Sequence, residues 1–80
     1  MDFVVGCVVK SKAGRDKEQF YVITELEGGY ARVCDGKHRK LSNPKLKNLR
    51  HLAPTGTEVC LPQTDKQLRI LLRKFSNQED

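Results

Sequence analysis

Apolar and polar residues alternate along the first part of the chain, and this alternation predicts β-structure. Between Val4 and Lys12 the side chains fall into two sets, one of Val5, Cys7, Val9 and Ser11 and the other of Val4, Val8, Lys10 and Lys12. A period of two is typical of a strand, so we expect the first strand to span roughly these residues. The stretch from Ala13 to Lys17 then has turn chemistry, because Gly14 accepts a positive φ and the Asp16 side chain can bond to its neighbouring backbone.

Two further strands follow, joined by the clearest hairpin signal in the chain. The segment from Phe20 to Thr24 is β-branched or aromatic and apolar on both faces, which predicts a central strand or a strand with a bulge. A tight turn suits Gly28-Gly29, because glycine adopts positive φ readily. We therefore expect a third strand from Tyr30 to Cys34, with alternate residues facing inward, namely Ala31 and Val33.

The middle of the chain predicts shorter β-segments. Asp35-Gly36 marks a tight turn into a short strand over Lys37 to Leu41, which ends at the breaker Ser42-Asn43-Pro44. A last short strand is expected from Asn48 to Leu52. Short strands at close, regular spacing are typical of a small antiparallel barrel rather than a parallel sheet.

The C-terminal region has helical periodicity. Thr64 and Gln67 have the spacing of a capping box, and Asp65 precedes Arg69 by the four residues that favour a helical ion pair. An apolar stripe at helical spacing consists of Leu68, Leu71, Leu72 and Phe75. These signals predict an amphipathic helix from Asp65 to Phe75 whose stripe covers an open end of the barrel, or alternatively docks into a groove of a partner protein. The opposite side of the helix either extends a basic surface or is simply solvated, and it carries Lys66, Arg69, Arg73 and Lys74.

The predicted organisation is one small domain. We expect a barrel over residues 1–53, a linker over 54–63, the helix over 64–75 packed on the barrel, and a frayed tail over 76–80. The 80 residues include 38% hydrophobic residues and no Trp, so the core must be compact.

The charge balance points to phosphate-rich partners. The formal net charge is +5, and the segment from Gly36 to Thr57 contains six Lys or Arg residues and no Asp or Glu. An anionic membrane surface would be the competing partner, but no apolar run approaches a spanning length and no signal-peptide core follows Met1-Asp2. These features predict a soluble cytoplasmic protein that does not associate with membranes.

The cysteines and histidines favour neither a disulfide scaffold nor a metal site. Cys7, Cys34 and Cys60 are odd in number and form no close pair, and the two histidines, His38 and His51, lie far apart. We therefore expect reduced thiols and no bound metal. Catalysis also lacks support, because no phosphate-cradling glycine motif is present and nothing fixes a converging set of Cys, His and Asp; we expect neither an enzyme nor a cofactor.

Part of the chain, from Val5 to about Leu52, resembles a known family. The matching residues are Val5-Gly6, Val8-Val9, Ser11-Lys12-Ala13-Gly14-Arg15-Asp16, Ala31 to Gly36, Arg39-Lys40, Pro44-Lys45, Asn48-Leu49 and His51-Leu52. This pattern resembles the KOW type of SH3-like barrel, and it is similar to the archaeal and eukaryotic large-subunit ribosomal protein family numbered fourteen. It also resembles small KOW-containing RNA-binding proteins of bacteria.

The resemblance implies a five-stranded SH3-like barrel that binds ribosomal RNA, in some members through KOW-loop contacts with other proteins. The family often has a second glycine after Gly-Arg-Asp-x, and this chain has Glu18 there. A carboxylate next to an RNA-facing turn is expected to change the loop geometry and to weaken binding.

The candidate RNA-binding residues belong to two basic segments. Cations on a fixed framework hold phosphate, and histidine can stack or bond to phosphate. The first segment contributes Lys12, Gly14, Arg15 and Lys17, and the second contributes Lys37, His38, Arg39, Lys40, Lys45, Lys47 and Arg50. Of the two tyrosines, Tyr21 is expected in the core and Tyr30 is the better candidate for stacking on a base.

The sequence thus predicts a non-catalytic RNA-binding protein, associated with the ribosome and monomeric when free. The cations of its two basic segments would contact a phosphate backbone of ribosomal RNA from both sides, with ribosomal proteins as further partners. The alternative is a protein-interaction module that docks to ribosomal or transcription machinery through the barrel rim or the helix stripe.

Overall fold

A computed structural model describes residues 3–76 of the chain as five strands and one α-helix. The strands are β1 (Cys7–Ser11), β2 (Phe20–Glu27), β3 (Tyr30–Cys34), β4 (Lys45–Asn48) and β5 (Leu52–Glu58), with a 3-10 helix (Leu49–His51) before β5 and the α-helix α1 (Asp65–Ser76) at the end. The strands form one antiparallel sheet in the order β4-β3-β2-β1-β5. The expected class, mostly β with five strands and a C-terminal helix, is confirmed; the sheet is open and consistent with an SH3-like barrel that does not close.

The second strand is both central and irregular, as its two apolar faces predict. β2 pairs with β1 on one side and β3 on the other, and its register with β3 shifts between Ile23 and Glu25. Such a shift bends a strand and changes which residues face the interior. A second shift, between Cys7 and Val9, lies in the pairing of β1 with β5.

The sheet buries apolar residues on both of its faces. The inner cluster consists of Cys7, Val9, Tyr21, Ile23, Ala31, Val33 and Leu52. The outer cluster consists of Val8, Val22 and Cys34 from the sheet with Leu68 and Leu72 from α1. Because neighbouring residues of a strand point to opposite faces, the two clusters lie on opposite sides of the sheet.

This second cluster fixes the position of the helix and corrects one expectation. Val22 pairs with both Val8 and Cys34, so the three side chains form an apolar row across β1, β2 and β3. The helix stripe packs on that row, on the outer face of the sheet, rather than across an open end of the barrel. Without the helix, these apolar side chains of three strands would be exposed to water, so their burial stabilises the helix in this position.

The strand expected over Lys37 to Leu41 is wrong. Those residues form a loop, because the Asp35 carboxylate accepts the backbone N–H groups of Lys37 and Arg39 at 2.9 and 2.8 Å. The N–H of Asp35 also donates to the Arg39 carbonyl oxygen at 2.9 Å. An aspartate that satisfies local backbone donors in this way competes with strand pairing.

The last strand was also placed wrongly, since Asn48 to Leu52 spans three elements. Asn48 ends β4, and its side chain accepts the Arg50 N–H at 2.9 Å, which caps the 3-10 helix. β5 then continues to Glu58, so residues 54–58, expected in the linker, pair with β1. Pro54 is compatible with this strand because β5 lies at the edge of the sheet, where prolines in β-structure are mostly found.

The helix is confirmed almost to the residue, and specific contacts hold its N-terminus. The Thr64 hydroxyl accepts the Gln67 N–H at 3.1 Å as the capping box predicts. Asp65 and Arg69, expected to pair with each other along the helix, bond instead to the loop before β4: Asp65 Oδ1 accepts the Leu41 N–H at 2.8 Å, and Arg69 Nη1 donates to the Gly36 carbonyl oxygen at 2.7 Å. The expected tail overlaps α1 at Ser76, and its remaining residues, 77–80, lie outside the described part of the chain.

Gly36 permits this docking, because it has a φ of +81° and a Cβ there would lie 2.5 Å from the Asp65 carbonyl oxygen. We expect Gly36→Ala to lower the free energy of unfolding by about 3 kcal/mol, since it combines left-handed strain with overpacking against the helix. Gly28→Ala is the matched control, because Gly28 also has a positive φ of +58° but no atom within 4 Å of the added Cβ. Urea unfolding measures both, and equal losses for the two variants would contradict the proposed helix contact.

Candidate nucleic-acid interface

The two basic segments leave the sheet at the same end. The 12–19 turn joins β1 to β2, and the 35–44 loop joins β3 to β4. Because these strands alternate in direction, both connections lie where β1 and β3 finish. The Lys12 N–H also donates to the His51 carbonyl oxygen at 2.8 Å, which brings the last residue of the 3-10 helix to the turn, whereas the first, Leu49, donates to the Gly29 carbonyl oxygen of the β2–β3 hairpin at 2.9 Å. We call the 12–19 turn, the 35–44 loop and the 3-10 helix the basic end.

One carboxylate ties the turn to β4. Asp16 Oδ1 lies 2.9 Å from Lys47 Nζ, and its Oδ2 lies 3.2 Å from Lys45 Nζ. The hydroxyls of Ser11 and Tyr21 donate to the same carboxylate at 2.9 and 3.0 Å. The sequence suggested that Asp16 bonds to its neighbouring backbone; instead its carboxylate joins β1, β2 and β4 through their side chains.

We call Asp16 together with its donors Ser11, Tyr21, Lys45 and Lys47 the Asp16 cluster. The contacts within it set the pKa values of Asp16 and Tyr21. Burial by itself would raise the pKa of Asp16, but the donors from Lys47, Ser11, Lys45 and Tyr21 outweigh it and hold the pKa far below its ordinary value. Burial, together with the bond to Asp16, raises the pKa of the Tyr21 hydroxyl. The carboxylate is therefore an anion, and the tyrosine a neutral donor, throughout the physiological range.

Lys45 and Lys47 differ from the other candidate residues for this reason. The Lys47 residue is only 8% exposed, and its ammonium is occupied by Asp16. Lys45 is half-buried and shares the same anion. Exposing the Lys47 ammonium to an RNA phosphate would require breaking a buried ion pair, so we assign Lys47 to the framework of the basic end, whereas 33% of the Lys45 side chain is exposed and Lys45 stays a candidate for RNA contact.

The remaining candidates lie at the surface of the basic end. Exposed positions are Lys12, Gly14, Arg15, Lys17, Lys37, His38, Lys40 and Arg50, and Arg39 is half-buried. Gly14 has a φ of +86° and accepts the Lys17 N–H at 3.2 Å, which closes the turn. The structure thus brings cations from the turn and the loop to one end of the sheet, and the 3-10 helix that carries Arg50 meets the turn at His51.

Glu18 occupies the backbone position that the family resemblance assigns to glycine. Its φ is +77°, the one positive value among non-glycine residues 3–76. Its carboxylate pairs with Lys10 at 2.6 Å, and that hydrogen bond lowers the pKa of Glu18. The loop therefore keeps the glycine-like backbone conformation and adds an anion to the rim of the basic end.

A groove of about 690 Å³ separates the basic end from the helix. Lys37, His38 and Lys40 of the loop and Arg69 and Arg73 of α1 line it, and Phe20 and Leu72 are among its apolar residues. From the sequence alone, the two arginines either extend the basic surface or are simply solvated. Their helical spacing was visible, but their position opposite the 35–44 loop depends on where the helix docks.

The cysteines and tyrosines form no reactive site in the described part of the chain. Cys7 and Cys34 are buried as small core residues, and burial raises the pKa of both thiols, whereas Cys60 is exposed. Tyr21 lies in the core as predicted, and Tyr30 is 47% exposed. Among residues 3–76, no group of three or more His, Cys, Asp and Glu side chains is placed to hold a metal ion.

Comparison with known proteins adds no relative. No family model matches the chain, and no curated protein sequence matches it. Within the described residues, no helix combines the length and apolar character that crossing a membrane requires.

The Asp16 cluster predicts a loss of stability when its charge is removed. We expect Asp16→Asn to lower the free energy of unfolding by about 3 kcal/mol at pH 7, because the variant leaves the Lys47 ammonium buried without its anion. The double variant Asp16→Asn with Lys47→Met should recover part of that loss, since it removes both buried charges. Urea unfolding of the two single variants and the double variant measures the coupling, and additive losses would contradict a direct interaction.

The same cluster predicts a pH dependence. The pKa of Asp16 is lower in the folded protein than its unfolded value of about 3.9, so its contribution is complete above that value and is lost as pH falls below it. We expect the stability gap between the parent protein and Asp16→Asn to narrow between pH 5 and pH 2, by about 3 kcal/mol at most. A gap that stays constant over this range, measured by urea unfolding, would show that the carboxylate titrates normally.

Glu18 generates a prediction about backbone strain. Glu18→Gly removes the left-handed strain and the ion pair, whereas Glu18→Gln removes only the charge. We therefore expect a higher urea midpoint for Glu18→Gly than for Glu18→Gln. Equal midpoints would mean that the positive φ carries no cost in this turn.

Proposed function

We propose that this chain is a non-catalytic RNA-binding protein that holds structured RNA at the basic end, with ribosomal RNA in the cytoplasm as the expected target. The supporting observation is the arrangement of exposed cations from separate parts of the sequence at one end of the sheet. Lys12, Arg15 and Lys17 come from the turn and Lys37 and Lys40 from the loop, and Arg50 is exposed on the 3-10 helix whose last residue, His51, contacts the turn.

The physical basis is phosphate neutralisation on a rigid support. Lysine and arginine that contact phosphates release condensed counterions, and this term dominates nucleic-acid affinity. The Asp16 cluster favours such contacts, because it fixes the turn against β4 before any ligand arrives. A surface that is ordered in advance loses less conformational entropy on binding.

Family resemblance supports RNA over DNA as the ligand. The residues Ser11-Lys12-Ala13-Gly14-Arg15-Asp16 and Asp35-Gly36-Lys37 resemble the KOW pattern, and both stretches lie at the basic end. The charge alone favours a polyanion of either kind. RNA is therefore the ligand to test first.

The structure weakens one version of the protein-interaction alternative. That version required the stripe of α1 to be exposed, but Leu68 and Leu72 are buried, and Leu71 and Phe75 pack partly against the same cluster. Docking through the rim of the sheet remains the alternative. Crosslinking in cell extract with and without ribonuclease separates the two, because a protein partner is retained after ribonuclease whereas an RNA contact is lost.

The proposed function predicts a strong salt dependence. If about four cations contact phosphate, raising the salt concentration fourfold should weaken binding about fiftyfold. Neutralising one contact, as in Arg15→Gln or Lys37→Gln, should reduce the slope of log affinity against log salt by about one. Fluorescence anisotropy with a labelled ribosomal RNA fragment measures both effects.

Arg32→Gln is the control for these variants. Arg32 is a cation on β3 that pairs with Glu25 and Glu27, away from the basic end. It should leave the slope unchanged. An equal decrease in slope for Arg32→Gln and Arg15→Gln would mean that affinity follows net charge, and the proposed interface would then be wrong.

A further inference from the structure

The groove between the basic end and α1 has a composition that simple phosphate binding does not require. Phe20 and Leu72 contribute apolar surface, and the Phe20 ring packs against Phe75 with 5.5 Å between centroids. A volume of about 690 Å³ lies in the range of sites that hold small organic groups. Phosphate alone needs cations and hydrogen-bond donors, whereas an apolar floor favours contact with a ring.

The charges around the groove are also mixed. Lys37, Lys40 and Arg73 line it together with the carboxylates of Glu18 and Asp35. A continuous phosphate backbone running along the groove would pass both carboxylates and be repelled by them, most of all by Asp35, since Glu18 is paired with Lys10. A ligand with one phosphate and one neutral ring avoids this repulsion, since the phosphate can remain at the cations while the ring enters.

We infer that this groove receives a single unpaired nucleotide of the bound RNA, with its base on the apolar floor and its phosphate between the loop lysines and the helix arginines. The inference rests on the proposed function and specifies which RNA the basic end selects. Bases that are unpaired and turned outward are the usual targets of RNA recognition outside double helices. The phosphates on either side of that nucleotide would continue onto the exposed cations of the turn.

The helix is part of this site because its docking creates the groove. Arg69 uses Nη1 to bind the Gly36 carbonyl oxygen, and its guanidinium has further N–H donors. Asp65 holds the Leu41 N–H on the same side. These contacts hold α1 against the loop, so that Arg69 and Arg73 line the groove together with Lys37 and Lys40.

The experiment compares three RNA duplexes of the same sequence. The first is fully paired, the second contains a bulge of one nucleotide, and the third contains the same bulge without its base. We expect the parent protein to bind the bulged duplex about tenfold more tightly than the paired one, because the base gains apolar contact. The abasic bulge keeps the extra phosphate and should bind like the paired duplex.

A variant that fills the groove gives a second readout. Gln19 is exposed and lines the groove, so Gln19→Trp should abolish the preference for the bulge, measured as the ratio of the affinities for the bulged and the paired duplex, in which any change of general RNA affinity cancels. Gln63→Trp is the matched control, because Gln63 is an exposed glutamine outside the residues that line the groove. It should keep the full preference, and urea unfolding checks that both variants are folded.

The outcomes separate the inference from the proposed function. Equal affinity for all three duplexes would overturn the inference and leave RNA binding at the basic end intact. Tight binding of the abasic bulge would overturn it as well, because the phosphate rather than the base would then be recognised. No binding to any duplex or to ribosomal RNA would overturn both proposals together.

Discussion

The Asp16 carboxylate is the interaction on which the basic end depends. It receives hydrogen bonds from Ser11 on β1, Tyr21 on β2 and the lysines of β4, so one anion connects three strands. A buried carboxylate is costly unless its acceptor sites are filled, and here hydroxyl and ammonium donors fill them. The 12–19 turn is consequently fixed to the sheet at its middle as well as at its two ends.

This arrangement divides the basic residues by task. A cation that neutralises a buried carboxylate cannot also neutralise an RNA phosphate without breaking the first contact. Lys47 therefore belongs to the framework, whereas Arg15 and Lys37 lie exposed around it. A count of the lysines in the two basic segments overstates the charge available to a ligand, because it ignores the carboxylates that pair with some of them. The net charge of +5 already subtracts those carboxylates and therefore overstates it less.

The helix α1 buries the apolar residues on the outer face of the sheet. A small open sheet has too little interior to bury its apolar residues on one side only, and α1 covers the second side through Leu68 and Leu72. Its N-terminus then packs on Gly36, whose lack of a Cβ allows contact with the Asp65 carbonyl oxygen. The groove and its arginines are a consequence of this packing, so stability and the proposed recognition of RNA depend on the same helix contacts.

Local patterns in the sequence determined the elements whose signals are local. The alternation before Ser11, the Gly28-Gly29 hairpin and the Thr64 cap predict β1, β2, β3 and α1 because each depends on residues close along the chain. The positions of β4 and β5 depend instead on long-range pairing, which overrode the linker expected from residue 54 and the strand expected after Gly36. The role of Lys47 was equally hidden, since its partner Asp16 lies thirty-one residues earlier. Composition established that the chain is basic, but only the tertiary structure decided which cations face solvent, because burial and pairing are properties of distant residues brought together.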